Sequence, residues 1–240
     1  MTKTTGKVIG VNGNMVAVQV DGDVSLNEVG YVKVGEQNLK SEVIRIQGNT
    51  AEMQVFEMTS GIGVGDEVDF SGELLAVELG PGLLTQIYDG LQNPLPELAE
   101  EAGFFLQRGL YMEALPRDRK WEFTPKVKQG DTVAAADTLG TVPEGIFEHR
   151  IMVPFNFHGS YTVKKITDKG EYDVDHEVAV LEDAKGNEHS VSMVFEWPVK
   201  RAIEVYDERL EPDTSMVTKT RIIDTFIPVA RGGTYCIPGP

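Results

Sequence analysis

Residues 6–70 break every few positions at a glycine, and the pieces between alternate apolar and polar side chains. Runs at 7–11 (KVIGV) and 15–20 (MVAVQV) flank Asn12-Gly13-Asn14. An Asn-Gly pair supplies the positive φ angles of a tight primed hairpin turn. Asp21-Gly22-Asp23 turns again, and runs at 31–34, 41–46, 50–56 and 65–70 follow, punctuated by Gly35 and Gln47-Gly48-Asn49. Six short strands at this spacing predict a closed barrel, the arrangement that removes exposed edges. The stretch carries no aromatic platform and no basic groove, which argues against an oligonucleotide-binding barrel.

The period then changes. Gly80-Pro81-Gly82 ends a strand over 74–79, and Leu83, Leu84, Ile87, Tyr88 and Leu91 recur at three- and four-residue spacing. That spacing predicts a short amphipathic helix ended by Asn93-Pro94. Leu95, Leu98, Ala102, Phe105 and Leu106 predict one or two further helical turns. Residues 111–195 return to strands. The segment at 126–142, K-x-G-D-x-V followed by D-x-L-G, resembles half of a lipoyl- or biotin-carrier domain. No lysine there has the flanking residues that carriers present, so it reads as a carrier-like β-sandwich without carrier chemistry.

Charge and chemistry exclude more than they select. Thirty-eight acidic against 22 basic side chains leave a formal net charge of −16, which argues against nucleic acid and anionic membrane as direct partners. Membrane spanning requires about eighteen consecutive apolar residues, and none occur. The N-terminal residues show no apolar core of a signal peptide. His149, His158, His176 and His189 have no i, i+4 pairing and no C-x-x-C companion, so a metal site is not expected. Nucleophile-elbow motifs are missing. Cys236, the single cysteine, reads as a small buried hydrophobe. Arg117-Asp118-Arg119-Lys120 reads as a surface loop.

The stretch at 221–240, RIIDTFIPVARGGTYCIPGP, reads as a buried apolar segment (Ile222, Ile223, Phe226, Ile227, Val229). Gly232-Gly233 and a strand-like run at 234–237 follow, and then Pro238-Gly239-Pro240. A strand that ends in glycine is how a phosphate-binding loop begins, and that loop continues to a Lys and a Ser/Thr. Only Gly239, a candidate first glycine, is present, and a turn or tail is the alternative.

Taken together, TSGIGVGDEV (59–68), SGELLAVELGPGLLTQIYDGLQNPL (71–95), PRDRKWEFTP (116–125), GTVPEGIFEHRIMVP (140–154), FEWPVKR (195–201) and RIIDTFIPVARGG (221–233) resemble the catalytic A subunit of vacuolar/archaeal-type rotary ATPases in a bacterial form. The resemblance runs along essentially the whole chain in the family's order. It implies a mainly β chain. Residues 1–70 would be the N-terminal six-stranded barrel, and 71–110 a linker and helix packed on a nucleotide-binding domain. Residues 111–190 would be the β-rich, barrel-sandwich-like bulge, and 191–240 the start of an α/β P-loop domain.

The resemblance also implies partners and chemistry. The partners are B subunits in an alternating A3B3 hexamer, peripheral stalk subunits at the bulge, and a central stalk. The location is the cytoplasmic face of a membrane-bound complex. The cofactor of the complete subunit is ATP or ADP with magnesium. Gly239 and Pro240 would be the first two residues of the phosphate loop, with Cys236 on the strand beneath it. The loop's Lys and Thr, the general-base Glu and the magnesium-coordinating strand are not in these 240 residues. The chain alone is therefore expected to bind no cofactor and to hydrolyse no ATP. Leu83, Leu84, Ile87, Phe104, Phe105, Ile222, Ile223 and Phe226 would be covered by the nucleotide-binding domain.

Overall fold

The computed structural model describes residues 4–239 apart from Phe104, Leu106, Asp207 and Arg209. Six strands close a barrel: β1 (Thr5–Asn12), β2 (Met15–Val20), β3 (Glu28–Val34), β4 (Gln37–Gln47), β5 (Thr50–Val55) and β6 (Glu67–Leu74). Their order is β1-β2-β5-β4-β3-β6, every pairing antiparallel, with β1 returning to β6. Alternation does the folding work here. Inward side chains on each strand stack into a core of Val8, Val16, Val18, Leu39, Met53 and Phe70, each at most 1% exposed.

The chain leaves the barrel through β7 (Ala76–Leu79) and reaches α1 (Leu95–Ala102), whose first turn carries a proline, as its missing N–H permits. Next come β8 (Trp121–Pro125), β9 (Thr132–Val133), β10 (Thr138–Glu144), β11 (Phe147–Met152), β12 (Tyr161–Ile166), β13 (Gly170–Tyr172), β14 (Ala179–Glu182) and β15 (Glu188–Val191). They form two four-stranded sheets, β11-β10-β8-β13 and β15-β14-β12-β9. One core cluster centres on Trp121, Phe123 and Ile151, the other on Leu139, Val163 and Leu181, and Ile166 packs against both. This is a sandwich. β16 (Phe195–Pro198) then comes back to pair antiparallel with β7.

Residues Met1–Ile203 make one compact unit and Glu204–Pro240 a second. The second holds β17 (Ser215–Met216) paired with β18 (Val229–Ala230), and between them α2 (Arg221–Phe226). Asp224 closes that loop: its carboxylate accepts from the Thr218 hydroxyl at 2.6 Å and from the Thr218 and Lys219 amides at 3.0 Å. These bonds hold the Asp224 carboxyl below its ordinary range.

Four expectations need correction. Residues 83–91 are not a helix but a succession of turns ending in an isolated Tyr88–Pro94 bridge. Thr85 and Gln92 sit at φ +68° and +65°, which no α-helix accommodates, and the Asp89 carboxylate takes the Leu91 and Asn93 amides. The apolar residues of 221–229 are not buried. Ile222 is 64% and Phe226 78% exposed, because two short strands and a six-residue helix offer no second layer to pack against. Residues 234–237 form no strand, and Cys236 among them is exposed. Of the further helical turns, α1 stops at Ala102, and Leu106 lies outside the described residues.

Candidate functional site

Gly239 is exposed and lies in irregular chain, and Pro240 lies outside the described residues. A Cβ built at Gly239 would meet nothing within 4 Å. The polar chemistry of the structure is concentrated elsewhere, along a seam between the barrel and the sandwich.

At the barrel end of the seam, Arg108 donates through Nε to the Gln37 Oε1 at 3.0 Å and through Nη1 to the Met58 carbonyl at 3.0 Å and to the Ser60 carbonyl. The Glu57 carboxylate accepts from the Gly109 amide and from the Tyr111 hydroxyl. That hydroxyl accepts in turn from the Lys40 amide at 2.7 Å. Burial pushes the Tyr111 phenol well above its usual range and the Lys40 ammonium below its own.

The middle of the seam is the pentapeptide Asp89-Gly90-Leu91-Gln92-Asn93. Asp89 accepts from both the amide and the side chain of Asn93 at 2.8 Å, closing the loop on itself. Asn93, 3% exposed, accepts from the Met112 amide at 2.9 Å. The Gln92 side chain pairs with both backbone groups of Glu78, at 2.7 and 2.8 Å, as a strand would. One tight loop thus ties β7 to the segment that enters the sandwich.

At the sandwich end, Glu144 is 5% exposed and fully engaged. Its Oε1 accepts from the Gly82 and Leu84 amides at 2.7 and 3.1 Å, and its Oε2 lies 2.6 Å from the His149 Nδ1. Arg117 pairs with Glu78, with Asp175 at 2.9 Å and with Glu113 at 3.5 Å. Arg119 stacks over Trp121 at 3.9 Å. The basic cluster lies in a surface loop, with 118–120 exposed, and Arg117 within it meets carboxylates from three separate stretches.

Sequence reading missed most of the seam. Asp89 sits in the stretch it read as helical, Gln92 just after it, and Asn93 was read as that helix's end. Glu144 lies in one of the motifs it quoted, and its burial was signalled only by apolar neighbours. His149, His158, His176 and His189 are not gathered, and no group of three potential metal ligands occurs among the described residues. Among those residues no helix is long and apolar enough to cross a membrane.

A closed six-stranded barrel joined by a ribbon and a polar seam to a barrel-sandwich is the paired β-domain class of ATP synthase subunits. A profile of the ATP synthase alpha/beta family's beta-barrel domain matches residues 8–72, and one of the alpha/beta subunit barrel-sandwich domain matches residues 112–200. The chain is 63% identical over 240 residues to the V-type ATP synthase alpha chain of Treponema denticola. It is 57% identical over 238 residues to that of Borrelia garinii subsp. bavariensis, and 58% over 240 residues to V-type ATP synthase alpha chain 1 of Treponema pallidum. These alignments cover 100%, 99% and 100% of the chain. The chain spans 41% of the length of each of these relatives. It belongs to the ATP synthase alpha/beta family, with the V-type alpha chains as its relatives.

Proposed function

We propose that the chain is the N-terminal portion of a catalytic subunit in a rotary ATPase, which couples ATP synthesis or hydrolysis to proton or sodium transport. The observation that carries this is the 63% identity along all 240 residues to a V-type ATP synthase alpha chain. In this reading residues 1–70 join neighbouring barrels in a crown of alternating A and B subunits. Residues 71–110 and 191–240 pack on the nucleotide-binding domain, and 111–190 offer the bulge to peripheral stalk subunits. A central stalk completes the assembly on the cytoplasmic face of the membrane.

Gly239 and Pro240 open the phosphate loop of the complete subunit, which takes ATP or ADP with magnesium. Phosphoryl transfer needs the loop's Lys, a metal and a neighbouring Arg to hold developing charge, and the 240 residues supply no such set. The chain alone is then an assembly module without turnover. A Mg-ATP titration separates the two roles: micromolar affinity for the isolated chain would show a nucleotide site within it. Co-elution with the B subunit in size-exclusion chromatography is the expected result for the crown, and separate elution would remove the barrel from that role.

A further inference from the structure

Two buried carboxylates lie on neighbouring barrel strands and are satisfied in different ways. Glu28, on β3, is 4% exposed and accepts from the Ser25 and Gly72 amides at 2.8 and 2.9 Å, both within the barrel's own residues. Glu42, on β4 opposite Val29, is also 4% exposed. Its Oε2 accepts from the Lys200 ammonium at 2.8 Å, and its Oε1 is buried with no partner among the described residues. That cation arrives 158 positions later in the chain, after the whole sandwich.

Lys200 is held in place. Val199 donates to the Leu75 carbonyl at 2.9 Å, the Trp197 indole donates to the Arg201 carbonyl at 2.9 Å, and Arg201 donates to the Pro198 carbonyl at 3.1 Å. The same ammonium donates to the Asn27 Oδ1 at 3.1 Å. Lys40, two residues before Glu42 on β4, is half-buried, and burial lowers its ammonium below the usual range although the charges of Glu196 and Asp89 act the other way.

While the returning segment covers it, a carboxylate stripped of the one cation that pairs with it among the described residues is far costlier than an exposed one. We infer that Glu42 makes the stability of the barrel conditional on the docking of the strand at 195–198 and Lys200, so that the first domain in the chain is completed by its returning end.

The test is a mutant cycle in the 240-residue chain, read by hydrogen exchange in β2 and β5 with β12 as the internal comparison. Lys200→Met keeps the apolar stem and removes the charge. The barrel amides should then exchange at least about tenfold faster, a factor in the range expected for an orphaned buried charge. β12 should change much less. Glu42→Gln added to Lys200→Met should return barrel exchange close to that of the unsubstituted chain, and Lys200→Arg should leave it slow. Barrel exchange indifferent to Lys200→Met overturns the inference. So does a double variant as fast as Lys200→Met, since the loop rather than the charge would then matter. Should Lys200→Met fail to fold, the added Glu42→Gln should restore folding, and failure to do so is equally decisive against it.

Discussion

The Glu144 carboxylate, on the last residue of β10, accepts the Gly82 amide at 2.7 Å across 62 positions of sequence. It joins two conspicuous motifs, GPGLL and VPEGIFEH, that nothing local connects. Glu144→Ala would orphan the Gly82 and Leu84 amides and empty a buried position. The expected loss is about 2–4 kcal/mol, from hydrogen bonds to a charged acceptor and the unpaired donors left behind. Urea unfolding followed by Trp121 and Trp197 fluorescence measures it. A loss within experimental error would mean that water replaces the carboxylate without penalty.

Gly140 and Gly145, five residues apart, separate two reasons for glycine. A Cβ at Gly140 would lie 2.3 Å from Phe123 Cε2 and 2.9 Å from the Thr124 carbonyl oxygen. Gly140→Ala should therefore cost about 1–3 kcal/mol by overpacking, with strand β8 displaced. At Gly145 a Cβ meets nothing within 4 Å, but φ is +62°. Gly145→Ala should cost only about 1 kcal/mol, from the left-handed backbone alone. Equal losses in thermal unfolding would contradict the assignment.

Asp183 gives a pH prediction with a definite sign. Its carboxylate accepts from the Asn187 side chain at 2.8 Å, the Asn187 amide at 2.9 Å and the Lys185 amide at 2.8 Å, and these bonds hold its carboxyl well below the usual range. A depressed folded-state value means that the β14–β15 hairpin is fully supported above the unfolded value of about 3.9 and loses that support as pH falls through the lower folded one. The Lys185 and Asn187 amide shifts should titrate with a midpoint below that unfolded value. A midpoint at or above it would refute the bonding, and Asp183→Ala should abolish the titration.

Ile222 and Phe226 lie at i and i+4 on α2 and are 64% and 78% exposed. Side chains at that spacing share one face, and exposed apolar surface promotes association. Sedimentation of the chain should show concentration-dependent association that Ile222→Ser with Phe226→Ser relieves. Identical behaviour of the two proteins would locate the adhesive surface elsewhere.

Local chemistry carries the legible part of this fold. The six barrel strands were readable from residues 6–70 because alternation and glycine turns act within a few positions. The family was readable from long motifs in order. The stretch at 83–91 misled because leucines at helical spacing also suit a chain of turns. The deciding facts there are the Asp89 carboxylate capturing the Leu91 and Asn93 amides and the positive φ at Thr85 and Gln92. Ile222 and Phe226 misled because hydrophobicity states a preference for burial and cannot supply the surface that buries.

The sequence alone therefore determined the strand alternation, the hairpin turns, the acidic surface and the family. The tertiary structure alone decided which polar groups meet: Glu144 with Gly82, Arg117 with Glu78 and Asp175, Lys200 with Glu42. The physical reason is range. Alternation and turn chemistry are set by neighbours in the chain, whereas a buried charge is matched by whichever group the closed barrel and the returning strand place within about 3 Å of it.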